Sequence, residues 1–141
     1  MKKYLKYAAI VLVAVMAAGA LGFYYVNKPK GSIARKQPDL IMSPQKLLAD
    51  FISDEDAANA KYLDKIIEVS GKITSISQNN GNKITLLMDT GDPMSNVTCE
   101  LNPVETDKTS GIEEGSIVEL KGICTGMLTD VILVDCIILN N

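Results

Sequence analysis

Three cysteines, Cys99, Cys124 and Cys136, are the residues best equipped for chemistry in this 141-residue chain, and no histidine accompanies them. There is no Cys-x-x-Cys pair, so a zinc site would need an unusual ligand set. Disulfide formation is open to them in an oxidising compartment. Cys124 and Cys136 look like a pair whose closed loop would be worth about 3 kcal/mol in the chain-entropy model. If their strands form a hairpin turning near Met127, however, Cys136 falls opposite about Val118, too far from Cys124 at about 3.3 Å per residue. Cys99 with Cys136 is then the more credible pair. Buried free thiols are the default, because all three lie on apolar faces.

The acids offer less. Asp54-Glu55-Asp56 could be read as a cation site, but a helix start explains it better, with Ser53 or Asp54 as cap and the negative charge of Glu55 and Asp56 in the first turn. Asp89-Thr90-Gly91-Asp92 lacks the ligand density of a calcium loop and reads as a strand-ending turn. Asn96-Val97-Thr98 fits a glycosylation sequon but begins a predicted strand, and it is set aside. With no Gly-x-Ser-x-Gly elbow and no phosphate loop, the chain is not read as an enzyme. No catalytic residue, cofactor or metal is assigned.

A different kind of information sits at the N-terminus. Behind Lys2, Lys3 and Lys6 runs an uncharged, mostly apolar stretch of twenty residues that begins at Tyr7 and ends at Val26. At about 1.5 Å per residue it spans the roughly 30 Å hydrocarbon core of a bilayer. Aromatics mark both ends: Tyr4 and Tyr7 on one side, Phe23, Tyr24 and Tyr25 on the other. A single transmembrane helix over 7–26 is therefore expected, with the lipid bilayer as its partner. A retained anchor is the preferred reading. Ala18-Gly19-Ala20 also fits a cleavage site, so a signal cut near Ala20 is the alternative. Basic residues on the two sides nearly balance, but the short basic head (1–6) reads as a secretory start. The expected setting is a bacterial inner membrane, crossed once, with the C-terminal domain periplasmic or extracellular.

Charge divides the chain sharply. All seven basic residues up to Lys36 precede the first acid, Asp39; beyond it seven lysines face seventeen acids, a net charge of −10 with no arginine. Residues 27–42, with Lys28, Pro29, Lys30, Gly31, Arg35, Lys36 and Pro38, read as a linker. It is either a solvated tether or a segment resting on anionic headgroups.

The domain from 43 to 141 must position whatever the protein uses. Ser43-Pro44 is a cap and first-turn proline for a helix over 45–52, with Leu47, Leu48, Phe51 and Ile52 on one face. A second helix runs to about Leu63 through Ala57, Ala58, Ala60 and Tyr62. From Ile66 the period becomes two, with Ile67, Val69, Gly71 and Ile73 alternating with polar residues. Asn79-Asn80-Gly81-Asn82 makes a turn into a strand over 83–88, and Val97, Cys99 and Leu101 alternate in a third. Residues 102–114 are polar and weakly structured. A fourth strand, 116–124, buries Val118, Leu120 and Cys124 around Gly122. The last, 131–139, is apolar on both faces, as for a strand enclosed by a closing barrel. The fold class is thus mainly β: a five-stranded OB-type Greek-key barrel preceded by one or two short α-helices, plus the single N-terminal transmembrane helix.

From Ala57 onward the chain resembles the tRNA anticodon-binding-like (tRNA_anti-like) OB-fold family, a largely uncharacterised bacterial group. The resemblance is carried by Lys61-Tyr62-Leu63-Asp64-Lys65-Ile66 leading into Val69-Ser70-Gly71-Lys72-Ile73. It continues through Gly115-Ser116-Ile117-Val118, Lys121-Gly122-Ile123-Cys124-Thr125-Gly126 and Val131-Ile132-Leu133-Val134-Asp135-Cys136-Ile137. Asp64 stands where the family usually has glycine. These are strand and glycine positions, so the resemblance implies fold rather than chemistry.

OB barrels bind across their second and third strands. The candidate face here comprises Lys83, Thr85, Leu87, Thr98 and Glu100, flanked by the loops 79–82 and 126–129. The expected function is a membrane-tethered extracytoplasmic module that binds or scaffolds an unidentified protein, peptide or envelope component. Nucleic acid is the alternative partner, and an unlikely one. Single-strand binders need a basic groove with aromatic platforms, and this domain is acidic with only Phe51 and Tyr62 as aromatics.

Overall fold

The computed structural model describes residues 2–26 and 33–140, so Lys28, Pro29, Lys30 and Gly31 of the expected linker lie outside the described residues. The chain divides into two compact units, residues 1–31 and 32–141. The first is helix α1, Lys2–Val26. Within it the span Lys6–Tyr24 has a mean hydropathy of 2.0 and none of it is buried in the unit. It is long and apolar enough to cross a membrane, a test that a signal sequence also meets.

The second unit contains β1 (Leu40–Met42), α2 (Pro44–Ser53), α3 (Glu55–Tyr62), β2 (Ile66–Gln78), β3 (Ile84–Met88), β4 (Val97–Leu101), β5 (Ile117–Met127) and β6 (Val131–Asn140). Strands β2 to β6 close a five-stranded barrel. The 13-residue β2 makes closure possible, because its first half pairs antiparallel with β5 and its second half with β3. β3 pairs with β4, and β6 lies between β4 (parallel) and β5 (antiparallel). A 3₁₀ segment, Pro103–Gly111, capped by the Asn102 side chain, fills the polar stretch between β4 and β5.

Helix starts are fixed by side-chain caps, and of the two candidates for the second helix, Ser53 and Asp54, the cap is Asp54. The Ser43 hydroxyl accepts from the Lys46 N–H at 3.2 Å, and the Asp54 carboxylate accepts from the Ala57 N–H at 3.0 Å. The acidic cluster at 54–56 is thus a helix start. The two helices deliver Leu47, Leu48, Phe51, Ala58 and Tyr62 into one core with the inward residues of all five barrel strands. The Phe51 and Tyr62 rings meet there with centroids 5.9 Å apart.

Residues 33–42 differ from the expected tether. Ile33, in a 3₁₀ turn (Ile33–Arg35), is buried in a small second cluster with Ile66, Ile137 and the half-buried Ile123. Lys121 is itself buried on β5 and donates to the carbonyl oxygens of Ala34 and Lys36. Asp39 brackets Ile66: its N–H donates to the Ile66 carbonyl at 2.8 Å, and its carboxylate accepts from the Ile66 N–H at 2.9 Å. β1 then pairs parallel with residues 67–69 of β2. A strap of ten residues therefore belongs to the barrel, and the packed Ile33 explains why Ile137 can be apolar on the outer side of β6.

The cysteine register also departs from expectation. Cys136 does not fall opposite Val118. Irregularities in the β5–β6 ladder shift the pairing, so that Lys121 faces Ile137 and Ile123 faces Val134. This brings Cys136 over Gly122, where an added Cβ would collide with the Cys136 sulfur and stand 3.1 Å from the Leu133 Cβ. All three cysteines are free and buried. Cys99 and Cys136 are neighbouring thiols, and Leu133 separates Cys99 from Cys124 in register.

Candidate binding face and groove

β3 and β4 alternate strictly, burying Ile84, Leu86, Met88, Val97, Cys99 and Leu101 and turning the intervening residues outward. The register brings the sequence-selected residues together: Thr85 faces Glu100, and Leu87 faces Thr98. Lys83, just before β3, forms an ion pair with Glu100. The one lysine of the face is thereby neutralised by its one carboxylate.

The loops that flank this face are ordered by short polar side chains. The Asn79 carboxamide oxygen accepts from the N–H groups of Gly81 and Lys83, both at 3.2 Å. Asp130, in the β5–β6 turn, accepts from the Asn96 N–H at 2.8 Å and from the Thr98 hydroxyl at 3.0 Å. It therefore locks one edge of the face to that turn. Asp130 was not singled out from sequence, and its turn position supplied no signal for this 34-residue reach.

The face also continues onto β6, which sequence reasoning did not include. Thr98 is in register with Ile132, and Ile132 in turn with Gly126. From Ile132 the surface leads into a groove of about 480 Å³ between α3 and the β5–β6 hairpin, lined by Asn59, Leu63, Thr125, Gly126, Met127, Leu128 and Ile132. Leu128 is 85% exposed at its mouth.

Asp64 adopts φ 61°, a left-handed conformation that glycine enters without steric cost. This accounts for the glycine usual at the position, and the aspartate occupies it at a steric cost.

Burial, followed by the neighbouring Cys99 thiol, pushes Cys136 well above the ordinary thiol value, and burial pushes Cys124 up as well. Both remain protonated and behave as core material. A hydrogen bond from Lys46, then one from Tyr62, holds Asp50 below the ordinary carboxylate range. Glu68, on β2, is raised by desolvation and then by its neighbour Glu119 on β5, against a smaller opposing effect of Lys121. Among the described residues no cluster of three or more His, Cys, Asp or Glu side chains could hold a metal ion.

Comparison with known proteins identifies the fold independently. A lipoprotein from Klebsiella pneumoniae subsp. pneumoniae MGH 78578, provisionally named nucleic acid-binding, superposes with a TM-score of 0.60 at 17% identity, covering 71% of this chain and 92% of that one. Weaker likenesses are to the S. pombe Stn1-Ten1 complex (TM-score 0.42, 18% identity, 54% of this chain and 59% of that one) and to a provisionally named aspartyl-tRNA synthetase from Leishmania major Friedlin (0.49, 11%, 87% and 26%). No curated protein sequence matches. The tRNA_anti-like family matches residues 1–138, and the chain belongs to that family.

Proposed function

We propose that the protein is a membrane-tethered binding module whose barrel, held outside the cytoplasm by α1, engages a protein, peptide or envelope component through the outer face of β3 and β4. The observation that carries this reading is the composition of that face. Threonine and leucine side chains surround a self-neutralised Lys83–Glu100 pair, on strands that OB barrels use for binding. Such a face offers hydrogen bonds and apolar contact without net charge. The basic head and the apolar run of α1 support single-pass insertion in a bacterial inner membrane, with retention favoured over cleavage near Ala20.

Nucleic-acid binding is the competing reading, raised by the name of the Klebsiella lipoprotein. Against it stand the net charge of −10 beyond Lys36 and the fate of the domain's two aromatics. Phe51 and Tyr62 are 2% and 0% exposed, so neither can stack on a base.

Reversal of either charge, Lys83→Glu or Glu100→Lys, should weaken recovery of crosslinked partners from cells while leaving the melting temperature nearly unchanged. Undiminished crosslinking would remove this face. A gel shift with a short single-stranded oligonucleotide at low salt decides the competing reading, since salt-sensitive micromolar binding would establish it.

A further inference from the structure

We propose that the groove between α3 and the β5–β6 hairpin seats an extended segment of another protein in which a branched aliphatic side chain is flanked by lysine or arginine. The inference deepens the binding-module reading and rests on it, while naming a different surface and a partner chemistry.

Three observations point to this occupant. The first is apolar: Leu63 and Leu128 remain 44% and 85% exposed at a groove of about 480 Å³, with the half-buried Met127 and Ile132 beside them. An aliphatic side chain entering there would cover surface that the chain leaves in water.

The second is an unmet amide. Asn59 lines the groove half-buried, and its side chain makes no hydrogen bond among the described residues, whereas the carboxamides of Asn79 and Asn102 are engaged. A carboxamide carries one acceptor and two donors, the complement of the C=O and N–H of a peptide unit. Thr125, on the facing strand, already donates its hydroxyl to the Ile132 carbonyl at 3.3 Å and keeps acceptor capacity toward the groove. A backbone running between them finds partners that a lipid chain could not use.

The third is charge. Glu55 and Asp56 lie one helical turn before Asn59, and Asp64 follows Leu63. Of the two lysines in this segment, Lys61 is turned toward Asp50, with its ammonium 3.8 Å from the carboxylate and 4.8 Å from the Tyr62 ring centroid. The groove lining itself carries no charge, and the three carboxylates that flank it in sequence outnumber Lys61 and Lys65, which favours basic flanks on the occupant and disfavours a polyanion.

The test uses the full chain in detergent micelles, with ¹⁵N amide shifts read against three synthetic peptides. These are acetyl-Gly-Lys-Leu-Lys-Gly-amide and its counterparts carrying Glu-Leu-Glu or Lys-Ser-Lys at the centre. The Lys-Leu-Lys peptide should give saturable shifts confined to residues 59–64 and 125–132, and each counterpart should bind about tenfold or more weakly. Leu128→Ser, at a position too exposed to affect folding, should abolish the response, and Asp56→Asn should weaken it. Shifts confined to residues 83–100 would overturn the groove and leave the binding-module reading standing. Absence of any shift, equal binding of the Glu-Leu-Glu peptide, or tighter occupation of the same residues by a ten-nucleotide oligothymidine would overturn the proposal.

Discussion

The Nζ of Lys121 donates to the carbonyl oxygen of Lys36 at 2.7 Å, joining β5 to a residue 85 positions earlier in the chain. A second bond, to the Ala34 carbonyl at 3.1 Å, leaves this buried ammonium held by backbone dipoles rather than by a carboxylate. Lys121→Met would retain the aliphatic packing and lose both charge-assisted bonds. A loss of about 1.5–3 kcal/mol is expected, read from denaturant titration of the full chain.

Ile33 is the apolar half of the same fastening. It is 1% exposed, so Ile33→Ala should cost about 2 kcal/mol, toward the lower end for such truncations because a strap can settle into the space. Combined with Lys121→Met the cost should be less than additive, since each change frees the same segment. A melting temperature unmoved by Ile33→Ala would show the strap to be dispensable.

Gly122→Ala places a methyl group against the Cys136 sulfur and 3.2 Å from the Val134 carbonyl oxygen. Destabilisation of about 1–3 kcal/mol is expected. Adding Cys136→Ala should recover part of it and not all, because the Leu133 and Val134 contacts remain. Thermal melts of the four proteins in this cycle measure the coupling.

Asp64→Gly acts in the opposite direction. At φ 61° the substitution relieves a conformation unfavourable to a side chain, while giving the unfolded chain more freedom. The net gain should lie at about 0.5–1 kcal/mol, visible as a higher denaturant midpoint with an unchanged slope.

Glu68 and Asp50 give opposite pH dependences. Glu68 is raised in the folded chain by desolvation and by Glu119, so its proton leaves the unfolded chain first as pH rises. Its favourable contribution is complete below the ordinary carboxylate value and is lost as pH climbs through the raised folded value. Glu68→Gln should therefore stabilise at neutral pH, by less than about 1 kcal/mol for so accessible a site, and do little at pH 3. Asp50 is lowered by Lys46 and Tyr62, so its contribution is present above the ordinary value and lost as pH falls through the folded one. Tyr62→Phe should shrink that acid-side loss. Melting temperature against pH for the two variants separates the effects.

What the sequence made legible was local. Period-two alternation located four of the barrel strands and a run apolar on both faces the fifth, while Ser43-Pro44 marked the first helix start and Ser53 or Asp54 the second. The turn at 79–82 came from asparagine and glycine chemistry that needs no tertiary context. The features that escaped are those that depend on distant partners. β1 is three residues long, too short for any period to register, and exists only because β2 offers it an edge. Lys121 looks like an ordinary outward strand lysine until the strap lies over it. The displaced Cys136 register arises from irregularities around 134–136, where Asp135 sits at φ 55°, and no rule of alternation anticipates an extra residue. The candidate face was recovered as one surface because cross-strand pairing follows from the turn. Its extension through Ile132 to the α3 groove was not, since β6 joins β4 by a parallel pairing between segments 34 residues apart.

The place of β6 between β4 and β5 has a consequence for how the protein is made. Ribosomes deliver the chain from its N-terminus, and the strand that joins both open edges emerges after the other four barrel strands. Until then the apolar rows of four strands have no closed interior to enter, and Ile33 has no Ile137 to meet. The barrel cannot mature piecemeal during synthesis. Its long-range pairings must form together once β6 is available, which makes the nascent domain dependent on whatever keeps unpaired strands from one another in the meantime.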